Sequence, residues 1–313
     1  MAEQSQEMRV AYTDTIMALA EKNKNIVILE ADLMSCTNTA CFKKAYPDRF
    51  FNVGIAEANM VGIAAGLSTL GKIPFAASFG CFAARRTFDQ FFLSANYARL
   101  NVKLVGTDPG VTAAFNGGTH MPFEDLALMR VVPGLNVIEP SDPRSCAALV
   151  REIADTYGCA YLRIPRKTVP FLYPENEKFR IGQAKVLKEG KDLCFIALGS
   201  LMVNNSLKAC ETLAASGIKA GVLDVLSLKP IDRDAILNQA GKAGAIITAE
   251  NAQIAGGLGS AVAEILAENN CRCRFARVGI RDEFGEVGTQ DYLTERFGLD
   301  AGSLVKKARE LLG

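Results

Sequence analysis

Short apolar runs rich in β-branched residues alternate with stretches of helical length along nearly all of the 313 residues, and this alternation constrains the fold more than any other feature. Strands joined by helix-length crossovers pair in parallel, and a parallel sheet needs helices on both faces. Runs at 26–30, 49–53, 73–77, 102–105, 136–138 and 160–164 read as strands, with helices at 13–21, 55–70, 82–97, 124–130 and 142–157. Gly71 and Gly158 serve as helix stops. Together they make a complete domain, assigned to 1–175. The stretch 165–182, with Pro170, Pro174, mixed charges and no helical period, reads as a surface linker. A second unit, assigned to 183–313, has strands at 193–198, 220–226, 245–249 and 274–278 and helices at 202–216, 260–269 and 303–312. The expected fold class is α/β, with two parallel-sheet domains in succession.

Charge narrows the partners. Lys and Arg number 35 against 34 Asp and Glu, so there is neither a basic footprint for nucleic acid nor a polybasic membrane patch. The first residues lack a basic segment followed by an apolar one, no apolar run approaches the ~18 residues of a spanning helix, and a cytoplasmic protein is expected. The nine cysteines, mostly in apolar segments and without zinc or redox spacing, read as small buried hydrophobes of a reducing compartment.

One carboxylate stands out. In Gly54-Ile55-Ala56-Glu57-Ala58-Asn59-Met60-Val61-Gly62, Glu57 opens a helix of small apolar residues with no cation near it in sequence. A carboxylate that leaves water without a partner costs several kcal/mol, so the position calls for a ligand to hydrogen-bond or a proton to handle. The plainer reading is a first-turn acid facing the positive end of the helix dipole. Similar alternatives attend the other singular residues. His120, the chain's one histidine, lies in the glycine-rich loop Asn116-Gly117-Gly118-Thr119-His120-Met121-Pro122, between strand and helix, where α/β proteins place ligands and where surface histidines also occur. Phe79 and Phe82, in Ser78-Phe79-Gly80-Cys81-Phe82, have the spacing of core packing or of an aromatic slot.

The stretch Phe50-Phe51-Asn52-Val53-Gly54-Ile55-Ala56-Glu57 resembles the glutamate motif in the pyrimidine-binding domain of transketolases and deoxyxylulose-phosphate synthases. That resemblance implies that Glu57 hydrogen-bonds N1′ of the aminopyrimidine of thiamine diphosphate, so that the cofactor's own amino group takes the C2 proton. It implies that Phe79 and Phe82 line the pocket of that ring, and that His120 hydrogen-bonds the substrate, as the histidine of the family's Gly-Pro-Thr-His-Gln-Pro loop does. Counted from His120, a donor-binding histidine of the family falls on Asp108 and a hydroxyl-binding aspartate on Asn116. Such exchanges alter which sugar hydroxyls are satisfied. The turn Glu30-Ala31-Asp32-Leu33-Met34-Ser35-Cys36 resembles one that approaches the cofactor, which makes Asp32 a cofactor candidate and puts Cys36 in place of the family's phosphate-binding serine. At the end of the last strand, Arg163 and Arg166 are both candidates for the substrate's phosphate. Gly256-Gly257-Leu258-Gly259 lacks the third glycine of a nucleotide loop and reads as a turn into a helix.

The family's Gly-Asp-Gly magnesium and diphosphate site is absent from the sequence. The resemblance thus implies a C-terminal-half subunit of a split transketolase, with two domains of the pyrimidine-binding and C-terminal kinds. Thiamine diphosphate would be shared with a separate diphosphate-binding subunit that holds the magnesium, no metal ligand would come from this chain, and sugar phosphates would be the substrates. A symmetric α2β2 is the expected assembly. The alternatives are the β-subunit of a 2-oxo acid dehydrogenase decarboxylating component, a deoxyxylulose-phosphate-synthase-like enzyme, and a non-catalytic partner that kept the fold.

Overall fold

A central strand of a parallel sheet is covered on both faces, so none of its side chains reaches water. The strands Ile26–Glu30, Lys103–Thr107 and Ala160–Ile164 are of this kind, buried at every residue. In the computed structural model, which describes residues 4–313, they belong to a seven-stranded sheet. The first three positions of the expected 1–175 domain lie outside the described residues. The strand order is Ser227–Lys229, Asn136–Ile138, Ala160–Ile164, Lys103–Thr107, Ile73–Phe79, Ile26–Glu30 and Phe50–Asn52, parallel except for the first pair. Ile28 pairs with Phe50 on one side and Phe75 on the other, so the chain reverses its direction of travel across the sheet at strand 26–30. Such a switch point leaves a crevice beyond the carboxyl ends of the strands.

A second, five-stranded sheet runs Arg274–Ile280, Ala245–Gln253, Leu193–Ala197, Ala220–Asp224 and Lys185–Lys188, parallel but for the last strand. The helix Gly199–Ala214 lies against it, burying Met202, Val203, Ala209 and Leu213.

Local chemistry explains where the structure departs from expectation. The helix expected over 55–70 begins at Glu57 (Glu57–Thr69), because Gly54 takes φ 73° and Ala56 has extended φ −149° in the turn before it. The helix expected over 82–97 is two π-helical segments, Phe82–Arg86 and Phe91–Tyr97, around the short α-turn Phe88–Gln90. Wide turns of this kind recur at functional sites. The linker is more ordered than its composition suggests: Thr168–Pro170 pairs with Ser5–Glu7, and Asp142, which caps helix Pro143–Asp155, accepts from the amides of Leu172 and Tyr173. Strand Ser227–Lys229 follows the second unit's Ala220–Asp224 in sequence yet joins the first sheet. Cys81, Cys146, Cys159, Cys194 and Cys210 are buried as expected, whereas Cys41 is exposed. Among the described residues no helix is long and apolar enough to cross a membrane.

Candidate active site

The carboxyl ends of five first-sheet strands deliver the candidate residues to one edge. Asp32 follows Ile26–Glu30, Glu57 follows Phe50–Asn52, Phe79 closes Ile73–Phe79, Asp108 follows Lys103–Thr107, and Arg166 follows Ala160–Ile164.

Glu57 is 1% exposed at the first position of its helix. The sequence offered it no cation, and the fold supplies one: Arg86 Nη1 donates to Glu57 Oε2 at 2.6 Å, while the Arg86 guanidinium lies 4.3 Å from the centroid of Phe82. The expectation of an unpartnered carboxylate is corrected to that extent. Arg86 stands four residues after Phe82, a spacing that puts both on one helical face, and this signal was available in the sequence. The other oxygen, Oε1, has only a long contact of 3.5 Å from Ser78 Oγ. Glu57 therefore keeps an oxygen for a further hydrogen bond, with its charge compensated by a half-exposed arginine.

Phe79, Phe82 and His120 form an aromatic corner. The two phenylalanine centroids are 6.2 Å apart, and the His120 ring meets them edge-on at 5.9 and 5.1 Å. Edge-on contact fixes ring orientation at little cost and adds about 0.5–1.5 kcal/mol per pair. Thr119 Oγ1 lies 3.0 Å from His120 Nδ1, which leaves Nε2 without a partner. His120 is half-buried and Asn116, on the same loop, is exposed. An apolar corner with a carboxyl oxygen to spare fits a flat heterocycle that carries a ring nitrogen to hydrogen-bond, so the residues present fit the pyrimidine half of thiamine diphosphate.

The two arginine candidates separate sharply. Arg163 is fully buried, and each terminal donor is occupied: Nε by Asp125 at 2.7 Å, Nη1 by Glu139 at 2.8 Å, Nη2 by the carbonyls of Pro122 and Asn251 at 3.1 and 2.9 Å. The expectation that it serves a substrate phosphate is overturned, because a strand covered on both faces gives its side chain no route to water. Burial works against its charge, and Asp125 and Glu139 together more than restore it. Burial likewise pushes the Glu139 carboxyl up to about 7, against the pull of Arg163. Arg166 remains a candidate. It is partly exposed, pairs with Asp108 at 2.5 Å, and its guanidinium stands 5.0 Å from the Phe79 centroid. Asp108 is itself buried, takes the left-handed φ of 58° and turns its carboxylate to Arg166; burial raises its carboxyl from the usual range while Arg166 pulls it down. Asp32 is exposed and is bracketed by Asn52, which donates from Nδ2 at 3.1 Å and accepts the Asp32 amide at 3.0 Å. Among the described residues no group of three or more His, Cys, Asp or Glu side chains is arranged to hold a metal.

Comparisons with known proteins show the family. Residues 4–171 match the family described as the transketolase pyrimidine-binding domain, and residues 182–304 the transketolase C-terminal domain. The chain is 49% identical to the 6-deoxy-6-sulfo-D-fructose transketolase subunit SqwH of Clostridium sp. strain MSTE9, over 97% of this chain and 94% of that one. It is 36% identical to one subunit of the apulose-4-phosphate transketolase of Phocaeicola vulgatus, over 97% of each. A solved structure described as a split gene transketolase, inactive beta4 tetramer, superposes with TM-score 0.89 at 43% identity, over 98% of both chains.

Proposed function

Since the chain belongs to the transketolase family, as a subunit of its split form, we propose that it carries the pyrimidine half of a thiamine diphosphate site and transfers a two-carbon ketol unit once a separate subunit supplies the diphosphate and magnesium half. The single observation that carries this reading is the meeting of Glu57, Phe79, Phe82 and His120 at one edge of one sheet. When bound, the cofactor supplies the nucleophilic carbon and the electron sink. Phe79 and Phe82 provide the apolar slot for its pyrimidine. Glu57 Oε1 holds a proton at the ring nitrogen, and Arg86 keeps the carboxyl in place from its other oxygen. His120 Nε2 faces the oxygen of the reacting carbonyl and stabilises charge that develops there. Arg166, held by Asp108, takes the anionic far end of the ketose. Asn116 serves its hydroxyls, and Asp32 approaches the cofactor from the neighbouring strand end.

The domain division at 175–183 and a cytoplasmic α2β2 assembly belong to the same proposal. The relative described as an inactive beta4 tetramer supports dependence on a partner, since it is a split transketolase that is inactive in that assembly. The name of the Clostridium relative gives a reason to test a sulfonated ketose beside a phosphorylated one. Calorimetry and turnover are the tests. The chain alone should bind thiamine diphosphate and magnesium weakly and transfer no ketol unit, and addition of the partner subunit should restore both. Turnover of 6-deoxy-6-sulfo-D-fructose against fructose 6-phosphate then identifies the anion. Tight stoichiometric cofactor binding, or transfer, by the chain alone would refute the reading.

A further inference from the structure

His120 sits on a loop, residues 108–123, whose shape first-sheet contacts alone do not account for. Ala114 is held at φ 49°, ψ −120° and Asp108 at φ 58°, conformations that cost of order 1–3 kcal/mol each and persist only where surroundings over-determine them. The first domain supplies part of those surroundings, through the Ile164 carbonyl that accepts the Asp108 amide at 3.1 Å and Arg85, which donates to the Thr119 carbonyl at 3.1 Å, and the second domain supplies the rest. At the start of the loop, Asn251, 2% exposed at the end of strand Ala245–Gln253, accepts the Val111 amide at 3.0 Å and donates to the Pro109 carbonyl at 2.8 Å. Gly110, between them, takes φ 51° and lies so close to Asn251 that no Cβ would fit. At the end of the loop, the amide of Gln253 donates to the Phe123 carbonyl at 2.7 Å. Arg163 bonds the Pro122 and Asn251 carbonyls together. In the middle, the segment Glu283-Phe284-Gly285-Glu286-Val287 lies on the loop: the Gly285 carbonyl abuts Gly118, and Val287 Cγ2 would be 2.9 Å from a Cβ on Gly117.

We infer that the second domain takes part in catalysis by holding His120 in register with the aromatic corner, with Asn251 and Gly285 as positioning residues that act through the loop. The inference rests on the reading of His120 as the residue that faces substrate. Gly285 gives the cleaner probe. Its φ is not left-handed, it lies in a surface segment, and an alanine Cβ there would stand 2.9 Å from Gly118 Cα and 2.5 Å from Met121 Sδ. Because backbone stands in the way, the loop has to move, and misplacement by about 1 Å costs about 10²-fold where geometry is part of catalysis.

The experiment is a double-mutant cycle in the holoenzyme reconstituted with its partner subunit, with hydroxypyruvate as a minimal two-carbon donor. Gly285→Ala and Asn251→Ala should each lower kcat for decarboxylation by about 10–100-fold. Hydrogen–deuterium exchange at cofactor C2 should stay unchanged in both variants, and the circular dichroism of the Gly285→Ala holoenzyme should remain that of the folded wild type. In a His120→Ala background the further loss from Gly285→Ala should shrink to less than about twofold, because residues acting through one group are not additive. A full loss in both backgrounds, or wild-type turnover by Gly285→Ala, overturns the inference while leaving the assignment of His120 intact. Wild-type turnover by His120→Ala would instead remove that assignment, and the inference with it.

Discussion

Replacing Arg163 by methionine tests whether a buried cation serves substrate or structure. Methionine fills much of the same space, so the effect isolates charge. The variant loses ion pairs of 2.7 and 2.8 Å to Asp125 and Glu139, which are 0% and 3% exposed and cannot be rehydrated in the folded state. It also loses the guanidinium that ties the Pro122 and Asn251 carbonyls. Asp125 keeps the Tyr161 hydroxyl at 2.8 Å, which softens its loss. Removing one side of a buried ion pair costs about 3–5 kcal/mol, and that is the expected drop in unfolding free energy at pH 8. The pH dependence follows from Glu139. Its folded pKa, about 7, lies above the ordinary 4.5, so its contribution to stability is full below that ordinary value and is lost as pH rises through about 7. Without Arg163 the folded value climbs further, so the gap between variant and wild type should open as pH rises from 5 to 8. Urea unfolding at both pH values measures it. A gap independent of pH, or intact stability with a raised KM for an anionic ketose, would refute the reasoning and return Arg163 to the substrate.

Glu57→Gln should slow C2 hydrogen–deuterium exchange in the reconstituted complex by at least ~10²-fold, since an amide cannot hold the ring-nitrogen proton, while circular dichroism stays unchanged; near-normal exchange would remove Glu57 from its role. His120→Ala should leave that exchange nearly intact and depress ketol transfer, and equal losses of both would contradict the division of labour. Glu30 lies buried, accepts the Thr37 and Thr39 hydroxyls on one oxygen, has no partner on the other, and is pushed up to about 7 chiefly by burial. It therefore contributes stability that falls as pH rises from about 4.5 through about 7, and Glu30→Gln should flatten that slope in denaturation curves; an unchanged slope would show that the carboxyl is not the titrating group.

The sequence by itself determined the α/β class and most of the central strands, but not the short strands Ser5–Glu7, Thr168–Pro170, Lys185–Lys188 and Ser227–Lys229, which form by pairing with distant segments. Mostly apolar runs separated by helix-length segments admit parallel sheets and little else, and strands 26–30, 136–138 and 160–164 are local enough for composition to mark them even though Glu30 and Arg163 lie within them. Glu57, Phe79, Phe82 and His120 could be named as candidates because each lies in a contiguous motif that resembles one of the family. Tertiary structure decided what depends on distance in space. The exposure of Arg163 and of Arg166 cannot be told apart along three residues of chain, because burial is set by strand order, and strand order by pairings between segments far apart in sequence. Arg86 reaches Glu57 across 29 residues. Asn251 reaches Val111 across 140, in a strand expected to end at 249 that runs on to 253 where the first domain's loop gives its backbone and side chain partners. A hydrogen bond leaves no mark on sequence when neither donor nor acceptor is unusual for its own segment, and for that reason the hold of the second sheet on the His120 loop emerged only from the folded chain.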